Sequence, residues 1–323
     1  MTTSNSAELE PARRRVPLPG LPWQVAFVVL AAIWGCSFYF IKLGLGGLNP
    51  VQVAFVRCLV GATTLVLITF VSRSRLPRRA STWRHLFVMA ALMNVLPFVL
   101  FSYGETQVSS ILAGIVNGAT PLTTLVVVLL AFPEEEPTRS RVAGLLIGFL
   151  GVLVVVGIWN GLGRGELPGV LACVGAICGY GVSYPYGRRH LAGLADGPIS
   201  LATGQIVAAT ILLVPIVLVA GPSGGPITGS VVLGMLGLGA LGTGVAFVLN
   251  YRIVAAAGAT TASTVTYLTP LVAIVVGLAF LGEPLAWNEP LGGLIVVLGV
   301  AVSQGRLAAL ARRLRRLDLA RDS

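Results

Sequence analysis

The sequence predicts an all-α integral membrane protein, with ten transmembrane helices arranged as two inverted five-helix repeats. Three observations predict it. The chain carries ten apolar segments, each about 20 residues long, the length that spans hydrocarbon. Its basic residues fall almost wholly in alternate loops. Its first half matches its second half in order and in spacing.

Composition sets the class. Of 323 residues, 55% are hydrophobic and 11% are charged, against about 25% charged in soluble domains. The 40 glycines and 19 prolines would be loop formers in water but are ordinary in membrane helices. The net charge of +10 does not imply nucleic acid, because the arginines sit in short tracts between apolar runs and build no single basic face. Cys36, Cys58, Cys173 and Cys178 all lie inside apolar runs. They form neither a disulfide framework nor a metal-ligand spacing and read as small apolar fillers.

Residues 1–22 form a polar tail with Arg13, Arg14 and Arg15. The run from Trp23 to Leu43 is too long for a signal-peptide core and lacks a small-residue cleavage site, so it is expected to stay as the first span. The spans expected are 23–43, 51–71, 84–103, 110–132, 141–159, 167–187, 198–220, 230–251, 261–281 and 288–306. Breakers such as Asn49-Pro50, Gly197-Pro198 and the stretch from Gly221 to Gly229 punctuate the loops.

With the N-terminus inside, 19 of the 22 basic residues fall in the tails, the inner loops or the inner span ends; the remaining three are Arg164, Lys42 and Arg57. Both termini are therefore expected in the cytoplasm, at the plasma (inner) membrane. Arginine- and alanine-rich usage suggests a bacterium with a GC-rich genome. The final stretch 307–323 places Leu310, Leu314 and Leu317 on one helical face among arginines. It suits a basic amphipathic helix on the anionic inner leaflet, or a simple topology anchor.

The repeat aligns Trp34-Gly35-Cys36-Ser37-Phe38-Tyr39-Phe40 with Tyr180-Gly181-Val182-Ser183-Tyr184-Pro185-Tyr186, an offset of 146. Lys42 then matches Arg188, Pro50 matches Pro198, and Arg57 matches Gln205. Phe98-Val99-Leu100 matches Phe247-Val248-Leu249, and Thr120-Pro121-Leu122 matches Thr269-Pro270-Leu271. Glu134 pairs with Glu283, and Gly144 and Gly151 with Gly292 and Gly299. The units run 23–159 and 167–306. Five spans is an odd number, so the second unit enters the membrane from the opposite side. That arrangement is a signature of alternating-access transporters with a midplane site between the halves, although duplicated units also build channels and assembly scaffolds.

These residues resemble the drug/metabolite transporter superfamily, in particular its EamA-like ten-span exporters, over nearly the whole chain from 23 to 306. The resemblance rests on Trp34-Gly35-x-Ser37-Phe38, Arg57, the two Thr-Pro steps, Leu281-Gly282-Glu283-Pro284-Leu285 and the paired glycines. It implies a secondary transporter, an exporter of amino acids, nucleosides or other small polar metabolites, with no cofactor and no enzymatic activity. The first copy departs from the family in reading Phe132-Pro133-Glu134-Glu135-Glu136-Pro137 where a leucine-glycine-glutamate turn is usual. The second has Tyr180 for tryptophan and an inserted Pro185.

Polar groups inside spans mark where a ligand could sit. Trp34, Ser37, Phe38 and Ile41 share one face of the first helix, and Tyr180, Ser183, Tyr184 and Gly187 share the equivalent face of the sixth. Both faces suit a largely apolar pocket with a few orienting hydroxyls, or helix packing. Asn94 before Pro97, Asn117 before Thr120-Pro121, and their counterparts Thr243 and Thr266 stand near prolines that free a backbone carbonyl. Asn250 and Tyr267 add polar reach. Arg57, about 10 Å into its helix, is open to three readings: gating the outer side, meeting a substrate carboxylate, or snorkelling to the outer headgroups. Lys42 and Glu105 are further gating or charge candidates. Every acidic residue lies at or beyond a span end, so a proton relay is not evident.

Gly237-Leu238-Gly239-Ala240-Leu241-Gly242 matches a dinucleotide fingerprint but lies within a span, where it reads as helix packing. No Walker A loop, H-E-x-x-H or G-x-S-x-G is present, which excludes an ATP-driven pump built from this chain alone. The partners expected are a small-molecule substrate and the lipid bilayer, with no nucleic acid, and a homodimer is compatible. Two other classes stay open: an accessory or assembly protein without transport, and a lipid-modifying enzyme, which would need a His, Asp or Glu cluster at one interface.

Overall fold

The computed structural model describes residues 22–131, 138–157, 159, 166–191, 194, 196–222, 224–257, 262 and 264–303. Residues 1–21 of the N-terminal tail, the basic tail 307–323 and residues 132–137, with Glu134, lie outside the described residues. Among the described residues all regular structure is helical. We label the helices α1 Trp23–Leu45, α2 Pro50–Val71, α3 Ala80–Gly104, α4 Ser110–Ala131, α5 Arg139–Val156, α6 Leu167–His190, α7 Pro198–Val219, α8 Gly229–Ala257, α9 Thr264–Leu281 and α10 Asn288–Ser303. The first nine are long and apolar enough to cross a membrane, and the last is an apolar helix of the 10–17-residue class. The expected bounds hold to within a few residues. The largest difference is at α8, which continues past the expected end at Tyr251 to Ala257.

Local chemistry places the ends. Asn49 and Gln52 form a reciprocal capping box in front of Pro50, satisfying donors that the first turn leaves over. Ser109, Thr138 and Thr228 cap α4, α5 and α8 by accepting from Leu112, Arg141 and Val231 backbone N–H groups. Gly157 (φ 64°) and Gly282 (φ 61°) close α5 and α9, in the left-handed conformation that only glycine adopts freely.

Several helices are irregular where they cross the middle of the bundle. A π turn at Ala91–Val95 precedes Pro97, which has no N–H to give back to the helix. Another π stretch covers Gly237–Val245, the glycine-rich segment of α8. There Gly239 lets α8 lie against Val60 and the Arg57 carbonyl of α2.

The packing is strongly paired. α5 packs on α10 more extensively than any other two helices meet, and α2 packs on α7. α1 contacts α8 and α9, while α6 contacts α3 and α4. α2 contacts α8, and α7 contacts α3. The core follows these contacts, with one cluster around Phe38, Phe101, Ile177 and Leu238 and a second around Leu65, Phe98, Ile206 and Phe247. Residues such as Phe70, Leu218 and Val219 are largely exposed and apolar, as a lipid-facing surface requires.

The α5–α10 contact is held by glycines. A Cβ at Gly144 would collide with the backbone of Gly299 and Ser303, and one at Gly292 with the backbone of Val155. Close backbone approach by small residues is the usual means of joining helices in lipid. Gly144→Val is therefore expected to destabilise the protein by ~1–3 kcal/mol or more through overpacking. Gly224→Ala, where an added Cβ meets nothing within 4 Å, should leave the melting temperature in detergent unchanged.

Candidate functional site

A small cavity of about 50 Å³ lies where the irregular helices cross. α1 presents Trp34, Ser37, Phe38 and Ile41 to it, the four residues that share one face by helical spacing. α6 presents Tyr180 and Tyr184, α4 presents Asn117, α9 presents Thr266 and α2 presents Arg57. Met93, Phe98 and Phe101 come from α3 and Phe247 from α8. Trp34 meets Phe247 edge-on at 6.3 Å, and Phe38 meets Phe101 edge-on at 5.5 Å, the geometry that aromatic quadrupoles favour. Neither α5 nor α10 contributes a lining residue.

Arg57 is 6% exposed. Its Nε donates to Thr243 Oγ1 at 2.9 Å, Nη2 reaches the Gly242 carbonyl at 3.5 Å, and the guanidinium lies 3.5 Å from the Phe98 ring centroid. The arginine is thus turned inward to α8, and the snorkelling reading does not hold. The hydrogen bond and the cation–π contact replace part of the hydration that burial removes. Thr243 itself donates to the Leu238 carbonyl within the π stretch, so the loosened α8 supplies the acceptor that Arg57 needs.

The two Thr-Pro steps are solved alike. Pro121 and Pro270 each leave a carbonyl four residues back without a helical partner. Thr120 Oγ1 donates to the Asn117 carbonyl at 2.7 Å, and Thr269 Oγ1 donates to the Thr266 carbonyl at 2.9 Å. Asn117 and Thr266 are thereby fixed at the cavity wall.

A second, larger cavity of about 390 Å³ adjoins the first and shares Met93 and Tyr184 with it. Ser183, Asn250 and Tyr251 line it, together with Arg188, Leu191, Asp196 and Val254 near the ends of α6 and α8 and the start of α7. It forms a vestibule at that end of the bundle. Among the described residues the other end is closed. There Lys42 Nζ, at the end of α1, donates to the carbonyls of Glu105 (2.6 Å) and Val108 (2.8 Å). Glu283, beyond α9, accepts from Ser110 N–H, Ser110 Oγ and Ile111 N–H. The segment 105–111 is held down from both sides like a strap.

Asn94, Thr243 and Tyr267 lie outside the residues that line either cavity. Asn94 Oδ1 accepts from Gln205 Nε2 at 2.7 Å, and Gln205 Oε1 accepts from Tyr251 OH at 2.6 Å. This buried chain joins α3, α7 and α8. Ser183 lines the vestibule and donates to its own helix at the Tyr180 carbonyl. Glu105 stands at a helix end but is 1% exposed, so a position at a span end is not a position in water. Sequence reasoning did not single out Phe98, Phe101, Phe247, Met93 or Tyr251. Phe98 and Phe247 could have been found, since the repeat aligns them.

A bundle of helices long and apolar enough to span a membrane, with an internal cavity and a vestibule, defines the class as a multi-pass membrane protein. The comparisons agree. The chain matches the EamA-like transporter family over residues 21–157 and again over residues 167–304, and it belongs to that family. An uncharacterized transporter of Archaeoglobus fulgidus is 26% identical over 296 residues, spanning 85% of this chain and 94% of its own. The uncharacterized transporter YdfC of Bacillus subtilis is 24% identical, spanning 85% of this chain and 89% of its own. The uncharacterized inner membrane transporter YedA of Escherichia coli is 25% identical, spanning 88% and 92%. A solved crystal structure shares the fold with a TM-score of 0.62 at 19% identity, covering 90% of this chain and 98% of its own. The protein is a membrane transporter.

The Asn94–Gln205–Tyr251 chain yields a stability prediction. Gln205→Leu leaves the buried Asn94 Oδ1 without its partner, at ~1–3 kcal/mol, and also releases the half-buried Tyr251 hydroxyl. Thermal unfolding in detergent should show a marked drop, and Tyr251→Phe, which strands only one acceptor, a smaller one.

Proposed function

We propose that this transporter is a secondary transporter that exports small polar metabolites, such as amino acids or related compounds, by alternating access. The observation that carries the reading is the pairing around the central cavity. Trp34 and Tyr180, Phe38 and Tyr184, Phe98 and Phe247, and Asn117 and Thr266 are all repeat counterparts, and all line it. A cavity lined this way lies on the pseudo-symmetry axis of two five-helix units, 23–159 and 167–306, which run oppositely through the membrane. The contact pattern supports the same reading, since α1 on α8 and α9 is answered by α6 on α3 and α4. Asn288–Ser303 is then the tenth span, and both termini lie in the cytoplasm of a bacterium with this protein in its inner membrane.

In that orientation the closed end faces outward and the vestibule opens to the cytoplasm, as an exporter ready to load requires. Lys42 and Arg188 are counterparts in the two halves; Lys42 clasps the strap, whereas Arg188 lines the vestibule. A central space of about 50 Å³ holds little more than water, so substrate would enter as Met93 and Tyr184 move aside. Arg57 gives the site one cation whose donors are only partly engaged, suited to a carboxylate on a substrate whose apolar part meets the aromatic wall.

A thermal-shift screen of the purified protein against amino acids, nucleosides and common drugs tests this. A ligand at 100 times its Kd should stabilise the fold by about 2.7 kcal/mol, and Trp34→Ala or Tyr180→Ala should abolish the shift. Arg57→Gln should weaken carboxylate ligands at least tenfold, about 1.4 kcal/mol, while sparing neutral ones. A folded protein unshifted across the panel and co-purifying with a stoichiometric partner would overturn transport in favour of an accessory role.

A further inference from the structure

The closed end contains a buried acid that the gating contacts do not use. Glu105 ends α3 and is 1% exposed. Its backbone carbonyl accepts one of the Lys42 hydrogen bonds, yet both carboxyl oxygens are buried without a hydrogen-bond partner among the described residues. Glu283, at the same end, is the opposite case, with three donors on its carboxylate. A bare ionised carboxylate out of water is strongly disfavoured; the neutral acid is far less so.

The charged and titratable groups facing Glu105 come from each element around it: Lys42 of α1, Arg57 of α2, Cys173 of α6 and Glu283 beyond α9. Burial, reinforced by Glu283, raises its carboxyl well above the ordinary carboxylate range against the opposing pull of Lys42 and Arg57. The position is also mechanically placed, because Glu105 begins the strap that Lys42 and Glu283 hold down. Lifting the strap would bring this carboxyl into water. The aligned position in the second half is Val254, which lines the vestibule, so the open end has no matching acid there.

We propose that Glu105 is a proton-binding site linked to the strap: closing this end takes up one proton from the adjoining solution onto the carboxylate, and opening releases it. The inference rests on the alternating-access reading above. The step is R–COO⁻ plus H⁺ giving R–COOH, with water or buffer of that solution as the donor. Lys42 takes no part in the proton step, since both of its contacts are made to backbone carbonyls and not to the carboxyl group.

The sign follows from linkage. With the strap lifted, a hydrated glutamate titrates near 4.3; with the strap down it titrates higher. Closure is favoured most fully below the lower value. It weakens, by up to about tenfold per pH unit, as pH rises through the window between the two, until the closed-state carboxyl ionises.

Hydrogen exchange of the amides of residues 105–112 tests this, in the full-length protein in nanodiscs from pH 5 to 8, corrected for intrinsic exchange. Wild-type protection should fall with rising pH. Glu105→Gln should stay protected at every pH without a slope, and Glu105→Asp should keep the slope. A flat wild-type profile, or a slope that persists in Glu105→Gln, overturns the proposal; one that vanishes instead in Glu283→Gln assigns the proton to Glu283 and overturns it too. Lys42→Met separates the two readings, because it should loosen the strap at all pH values. If it leaves the strap as protected as in wild type, the gate itself is wrong, whatever the slope.

Discussion

Inside hydrocarbon no water is available to complete a hydrogen bond, so a polar group in this bundle is costly unless it finds a partner on another helix or on its own. The contact of Arg57 with Thr243 is the most demanding instance. A guanidinium from α2 is accommodated because α8 is wound as a π stretch around Gly237–Val245, with Thr243 facing α2, and because Phe98 of α3 lies under the charge. Remove the loosened winding of α8 and the acceptor moves. Remove Gly239 and α2 can no longer lie against α8. One buried cation thus ties three helices and sets the shape of the central cavity.

The same constraint governs the irregular segments at the middle of the bundle. Pro97, Pro121 and Pro270 each break a backbone pair, and lipid would punish the broken pair anywhere outside the protein. The threonine just before Pro121 and the one just before Pro270 return a hydroxyl to the stranded carbonyl. The break therefore stays local and the neighbouring Asn117 and Thr266 are turned to the cavity. α5 and α10 carry no such breaks and no lining residue. Their glycines serve a different end, letting two regular helices meet backbone to backbone.

Much of this was legible in the sequence, and the parts that were not share a cause. Helical spacing identifies a face, so Trp34, Ser37, Phe38 and Ile41 were placed together and do line the cavity. Spacing does not identify the neighbour that a face meets. Asn94 has the same character as Asn117 on that evidence, yet it is turned to Gln205 on α7, whereas Asn117 is turned to the cavity. Gln205 was visible only as the counterpart of Arg57. Its link to Asn94 and Tyr251 depends on which helices pack together, a tertiary fact. Glu105 is legible in the sequence only as an acid at a span end, where no proton relay is evident. Burial came from the strap folding beneath Lys42, and no local pattern reports that.

In the proposed inverted-repeat reading, the departures from perfect repetition carry the functional asymmetry. Two identical halves would close both ends equally, and neither end would be preferred. Here the first half carries Lys42, Arg57 and Glu105 where the second carries Arg188, Gln205 and Val254. Lys42 reaches two carbonyls of the strap and Arg188 lines an open vestibule. Arg57 is a buried cation, and Gln205 at the matching position is a neutral link in a hydrogen-bonded chain. Each exchange replaces a charged or titratable group with one of different reach or none. In the alternating-access reading, the shared residues build a site that both sides can visit. The unshared ones make the two closures chemically different, with Glu105 offering a proton site in the strap at one end and Val254 none at the matching position of the other.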